Sequence, residues 1–203
     1  MISAVNLELA FGERIILSDF SATFSQGTIT AIIGANGTGK STLLAALAGD
    51  IVPSAGEVLI NEQSIQSLTR IQMSQLRSLA QQSHSYWMAY TTEEILRLAH
   101  EDISDSRFRY LIEKLAITPY LQQRVTTLSG GQSQRIEIAR AMLRELPIVL
   151  LDEPFASQDL KSTEAIIELL KAERAAGRTI VLVAHARSED LTWCDQIIDL
   201  NVR

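Results

Sequence analysis

Gly34-Ala35-Asn36-Gly37-Thr38-Gly39-Lys40-Ser41-Thr42 is the stretch on which the fold turns. It fits the pattern G-x-x-x-x-G-K-[ST]. Thr28 to Ile33, a nearly continuous apolar run, precedes it, and Leu43 to Gly49 follows as a helix with a glycine stop. With glycine at about 7% of residues, a chance match in a chain this long has odds on the order of one in a hundred, and the strand-helix context lowers them. Glycines let successive backbone N–H groups curl around one anion, and the helix that follows points its positive end at the same place. Lys40 then reaches the β- and γ-phosphates of a nucleotide, and the Ser41 hydroxyl is placed for Mg²⁺.

Outward from this loop the chain reads as strands alternating with helices. Val5, Leu7 and Leu9 alternate with polar neighbours, as do Phe20, Ala22 and Phe24, so both stretches are half-buried strands. Glu57 to Ile60 is another. From about Leu68 to Leu146 the pattern is mostly helical: Thr91 and Glu94 make a capping box, and Phe108, Leu111, Ile112 and Leu115 fall at helical spacing. The last third predicts a buried strand over Ile148 to Leu151, a helix over Leu160 to Ala176, and strands over Thr179 to Ala184 and Gln196 to Leu200. Such alternation implies a parallel sheet with helical crossovers.

Ile148 to Leu151 ends in Asp152-Glu153. Open α/β sheets place ligands at the carboxyl ends of their strands. Alone, an acidic pair is an ordinary solvated turn. Beside a phosphate loop, Asp152 reads as a holder of Mg²⁺ and Glu153 as the general base that polarises a water. A second glycine motif, Leu128-Ser129-Gly130-Gly131-Gln132, opens a helix in which Ile136, Ala139 and Leu143 share a face. Serine and glycines at a helix start make a second anion site, although an ordinary cap would look the same.

Leu128 to Gln132 resembles the signature sequence of ATP-binding cassette ATPases, and the order of the motifs is similar to that family over essentially the whole chain. The resemblance implies an α/β P-loop NTPase with a mostly parallel core sheet, an N-terminal antiparallel β subdomain and an inserted helical subdomain. One domain over 1–203 is expected, its core and β subdomain drawn from about 1–82 and 147–203 and its helical subdomain from about 83–146. Gly34 to Thr42 matches the Walker A motif and Ile148 to Glu153 the Walker B motif. Phe11 resembles the aromatic residue that stacks on adenine. Gln82 resembles the Q-loop glutamine that reaches Mg²⁺ and the attacking water, with adjacent Gln81 as the alternative. Asp159 resembles the D-loop aspartate and His185 the switch histidine on the γ-phosphate. The resemblance departs at Gln158, where the family more often has leucine, and at Gln81, where a proline is usual.

The same resemblance implies ATP and Mg²⁺ as ligands and a head-to-tail homodimer or paired ATPase subunit. Each ATP would touch the phosphate loop of one copy and Ser129, Gly130, Gly131 and Gln132 of the other. Transmembrane permease subunits, and for import a substrate-binding protein, are the implied partners. Arg70, Met73, Leu76, Arg77, the Gln81-Gln82 pair, Tyr90-Thr91 and Glu94 are similar to ATPases of iron-siderophore, haem and cobalamin importers. Exporter ATPases, including the short type serving haem delivery, are the alternative within transport. The stretch Tyr86 to Tyr90 would face the membrane subunit or else pack the helical block.

Composition limits the other classes. Apolar runs are short against the roughly 20 residues of a membrane span. No secretory signal is visible at Met1 to Leu9, and the one cysteine, Cys194, expected as a core thiol, forms no internal disulfide. The expected place is cytoplasmic, peripheral on the inner face of the membrane. A net charge of −6 argues against a nucleic-acid partner, and with it against the soluble cassette ATPases of DNA repair and translation. Intact Glu153 and His185 argue against a binding module without turnover.

Overall fold

The computed structural model describes residues 1–81, 89–98 and 103–201 of the 203-residue chain. In chain order its strands are β1 (Ile2–Phe11), β2 (Arg14–Phe24), β3 (Ile29–Ile33), β4 (Ala55–Ile60), β5 (Gln63–Ser64), β6 (Arg77–Ala80), β7 (Ile148–Asp152), β8 (Thr179–Val183) and β9 (Gln196–Asp199). Its helices are α1 (Lys40–Ala48), α2 (Arg70–Leu76), α3 (Thr92–Arg97), α4 (Asp105–Lys114), α5 (Gly130–Leu143) and α6 (Leu160–Ala175). They build the α/β fold expected of a P-loop NTPase. An antiparallel sheet runs in the order β2-β1-β4-β5, and a parallel sheet in the order β6-β7-β8-β3-β9.

The parallel strands are buried on both faces, which is why they read as apolar runs. Along β8, Ile180 and Leu182 face one core while Val181 and Val183 face the other; Val149 and Leu151 of β7 oppose Ile148 and Leu150 in the same way. Helix α1 fills the layer between the two sheets, packing on β7 and β8 and on β1. Its Leu43, Leu44 and Leu47 are at most 1% exposed. Burying such a side chain is worth about 1.5–3 kcal/mol, so α1 is a main tie between the layers. Helices α5 and α6 cover the other face of the parallel sheet, and α4 packs on both of them.

Three expectations need correction. The stretch from Leu68 to Leu146 is not uniformly helical: β6 lies inside it, at the edge of the parallel sheet. Arg77-Ser78-Leu79-Ala80 carries no strand pattern of its own, and its conformation is set by pairing Arg77–Ala80 with Ile148–Leu151. Val5 is 38% exposed although Leu7 and Leu9 are buried. Asn6 has φ +45 and the β1–β2 register shifts between Ala4 and Leu7, so the bulge resets the alternation. Helix α1 starts at Lys40, three residues before the apolar pattern. Gly39 turns the chain straight into it from φ +96, with Ile16 so near that a Cβ would lie 2.8 Å from its Cγ2.

Other readings hold. Thr91 and Glu94 make the capping box of α3, and Phe108, Leu111, Ile112 and Leu115 are buried. Tyr90 is partly buried against the core, and Cys194 is partly buried too, its thiol pushed up to about 12 by burial. Tyr86, Trp87 and Met88 lie outside the described residues.

Candidate active site

Three parallel strands deliver the chemistry to one edge. β3 runs into the glycine loop, β7 ends at Asp152, and β8, lying between them, ends two residues before His185. Lys40 is 5% exposed, and its Nζ donates to the carbonyl oxygens of Gly34 and Ala35 at 2.9 Å each, so the ammonium lies inside the curl of its own loop. Thr38 closes the turn by donating to Ala35 O at 3.0 Å. Ser41 Oγ donates to Asp152 Oδ1 at 3.1 Å. Burial pushes the Asp152 carboxyl above the usual range; the Ser41 hydroxyl and Lys40 work the other way, and the neighbouring Glu153 charge adds to the rise.

Glu153 sits at φ +49, a costly conformation for a side chain with a Cβ. Its amide donates to Val183 O at 3.1 Å, and His185 Nε2 meets its Oε1 at 2.5 Å. A cavity of about 380 Å³ is lined by Arg14, Ile16, Asn36, Gly37, Gly39, Lys40, Ser41, Thr42, Glu153 and His185. The two acid-base candidates and most of the glycine loop therefore share one opening.

Other expected residues lie elsewhere. Phe11 stands 57% exposed at the β1–β2 hairpin, paired across it with Arg14, which does line the cavity. Gln82 lies outside the described residues. Gln81 follows Ala80, which pairs with Leu151, so the chain leaves the sheet at the level of Asp152. Asp159 caps α6 by accepting from Ser162 N at 2.7 Å, and that bond holds its carboxyl below the usual range. Ser129 and Gln132 cap α5 reciprocally: Ser129 Oγ accepts from Gln132 N, and Gln132 Oε1 from Ser129 N. Gly130 and Gly131 lie against Ser157, not against the cavity.

Two residues escaped sequence reasoning. Gln134, 4% exposed, donates from Nε2 to the carbonyls of Asp152 at 3.4 Å and Glu153 at 3.3 Å, steadying the acidic turn from α5. Its only signal was a polar residue on the buried face of a helix. Asn201 Oδ1 accepts from Ala35 N at 2.8 Å and braces the glycine loop from beyond β9. No local pattern announces that contact.

The sequence profile described as "ABC transporter" matches residues 17–156. The chain belongs to the ABC transporter family. Its place there is that of the ATP-hydrolysing subunit. It is 31% identical over 97% of its length to "Hemin import ATP-binding protein HmuV" of Bordetella parapertussis, of which it covers 81%. It is 34% identical over 93% of its length to "Manganese transport system ATP-binding protein MntA" of Synechocystis sp., covering 76% of that protein. Among solved structures, an "ATP binding subunit of ABC transporter" superposes with TM-score 0.86 at 25% identity, over 98% of this chain and 85% of the other. Among the described residues of this ABC ATPase, no helix is long and apolar enough to cross a membrane.

Proposed function

We propose that this ABC ATPase grips ATP between the Lys40 loop of one copy and the Ser129 turn of a second, and that hydrolysis there drives an importer. The supporting observation is the division of labour within the chain. Its cavity gathers Lys40, Ser41, Glu153 and His185, while the signature glycines pack on Ser157 and line none of it. A second copy, turned head-to-tail, supplies the missing face with its own signature turn.

Within that site Lys40 Nζ would exchange the Gly34 and Ala35 carbonyls for β- and γ-phosphate oxygens. We assign stacking on the base to Phe11, an exposed aromatic residue paired across the hairpin with cavity-lining Arg14. Among the described residues no group of three or more His, Cys, Asp and Glu could hold a metal. One hydroxyl, Ser41, and one carboxylate, Asp152, suit Mg²⁺, which keeps several waters and takes phosphate oxygens as further ligands. Ser41 and Asp152, and by resemblance Gln82, would hold that ion, which when bound would supply neutralisation of the phosphate charge. Glu153 orients the attacking water and takes its proton, and His185 Nε2 fixes the carboxylate that does so. The rest of catalysis is positioning and charge stabilisation.

The hemin relative and the importer-like residues between Arg70 and Glu94 favour an iron chelate, haem or cobalamin as cargo. The manganese relative favours a second reading, a bare metal ion. We place the chain on the inner face of the cell membrane beside permease subunits, with a substrate-binding protein outside. Uptake assays on the membrane protein that co-purifies with it decide the cargo.

Glu153→Gln keeps the side chain's shape and removes its basicity. It should bind ATP, accumulate as a closed pair seen by light scattering, and lose turnover by at least about 100-fold, the usual weight of a general base. Turnover near that of the unaltered chain would overturn the base assignment.

A further inference from the structure

We propose that Gln158 is a positioning residue that latches the loop after the acidic pair to the signature turn, so that the two half-sites carried by one chain move together. The inference rests on the two-copy site proposed above.

The loop from Glu153 to Asp159 is strained at two places. Glu153 has φ +49 and Ser157 φ +59, in the left-handed region that residues with a Cβ enter only at a cost. Such a shape persists only where neighbours hold it. Two backbone bonds help, Ala156 N to Glu153 O at 3.1 Å and Gln158 N to Phe155 O at 3.3 Å. The Gln158 side chain ties the loop to a different element. Its Nε2 donates to Gly131 O, in the first turn of α5, at 2.9 Å, and lies 3.4 Å from Ala156 O. The two backbones touch there: a Cβ on Gly131 would lie 2.4 Å from Ser157 O. At its other end the loop hangs from the same helix, through Gln134 and the carbonyls of Asp152 and Glu153.

Helix α5 and the loop therefore form one stitched unit with functional groups at both ends. Glu153 serves the ATP held by its own Lys40. Ser129 to Gly131 serve the ATP held by the other copy. When the signature turn closes on that second nucleotide, the Gln158 amide carries the displacement to Ser157 and so toward Glu153. An apolar side chain of the same length could fill the space but could not hold Gly131 O.

The test compares Gln158→Met, which keeps length and removes the donor, with Gln158→Lys, which keeps a donor at that reach. Both are made in the full chain. Hydrolysis is followed against ATP concentration, and ATP binding by the dilute chain and thermal unfolding are measured beside it. The Met variant should bind ATP as the unaltered chain does, unfold only slightly more easily, lose about fivefold in kcat, the weight of one ordinary hydrogen bond, and lose its sigmoidal ATP dependence. The Lys variant should retain most of both. Unchanged kcat and sigmoidicity in the Met variant would overturn the assignment. So would parallel losses of ATP binding and stability in both variants, since those mark a merely structural role. If Gln158→Met fails to fold, Gln158→Leu takes its place with the same expected outcomes. Hydrolysis by the unaltered chain that is hyperbolic in ATP, with no pairing of Glu153→Gln copies, would remove the two-copy site and this latch with it. A sigmoidal unaltered chain with a sigmoidal Met variant removes the latch alone.

Discussion

At the scale of single residues, Asp152 shows how a site built for charge costs the protein stability. Its carboxylate is half-buried beside Glu153, and burial raises its folded pKa. The unfolded chain has the ordinary aspartate value, so between the two values the folded state holds more proton than the unfolded one. Stability then falls as pH rises through that window, and the loss persists above it. Asp152→Asn removes the charge and keeps an acceptor for Ser41. In buffer with a chelator at neutral pH it should unfold at a higher temperature than the unaltered chain, and the gap should close toward pH 4. It should also abolish Mg²⁺-dependent turnover. Equal thermal stability of the two proteins at both pH values would contradict the burial argument. The residues most legible in the sequence were of this kind. Lys40, Ser41, Asp152 and Glu153 announce themselves because the phosphate chemistry proposed for them demands those types beside glycines and a buried strand. Asn201 and Gln134 were illegible because their task is to hold a neighbour's backbone, which many polar residues can do from many places in the chain.

At the scale of elements, legibility followed burial. β3, β7 and β8 are covered on both faces and read as apolar runs within a residue of their true ends. β6 is an edge strand whose pairing with β7 decides its conformation, so Arg77 to Ala80 gave no local sign. Charge inside the packing was equally hidden. Glu173 of α6, 4% exposed, accepts from Arg107 of α4 at 2.7 Å and from Arg178 at 2.5 Å. The two guanidiniums also bond the carbonyls of Met142, Arg144 and Leu146, so one carboxylate joins α4, α6 and the approach to β8. Burial disfavours its charge, but the hydrogen bonds from Arg107 and Arg178 outweigh this and hold the carboxyl below the usual range. Glu173→Gln removes the ion-pair partner of buried Arg178 and of largely buried Arg107, and should cost about 3–5 kcal/mol in denaturant unfolding. The carboxylate's contribution is present above the ordinary glutamate value and is lost as pH falls through its lowered folded value. The variant's deficit should therefore shrink on acidification; a deficit below about 1 kcal/mol at neutral pH would place the cluster among weak surface pairs.

At the scale of the whole molecule, the proposed two-copy site makes a demand that one chain alone would not meet. The Lys40 loop opens on the cavity, and the Ser129 turn is held on Ser157 away from it. If each ATP needs both, a defect in one copy's loop and a defect in the other copy's signature should complement. Lys40→Ala spoils the loop and keeps the turn. Ser129→Arg keeps the loop and spoils the turn, because a bulky cation replaces the cap that accepts from Gln132 N. Each variant alone has no intact site. In a mixed pair one site combines the sound loop of the Ser129→Arg copy with the sound turn of the Lys40→Ala copy, and the other site combines both defects. Random pairing at equal amounts restores about a quarter of the sites, half the pairs carrying one good site of two. Mixing the two inactive proteins should therefore recover measurable ATP hydrolysis, up to that fraction, and the recovery should depend on total protein concentration as pairing does. Activity that stays at zero on mixing, while each variant remains folded and Ser129→Arg alone still binds ATP, would mean that loop and turn serve the same copy. A rearrangement of α5 within one chain would then have to bring the turn to its own cavity, against the contacts of Gly131 and Gln158 that hold it away.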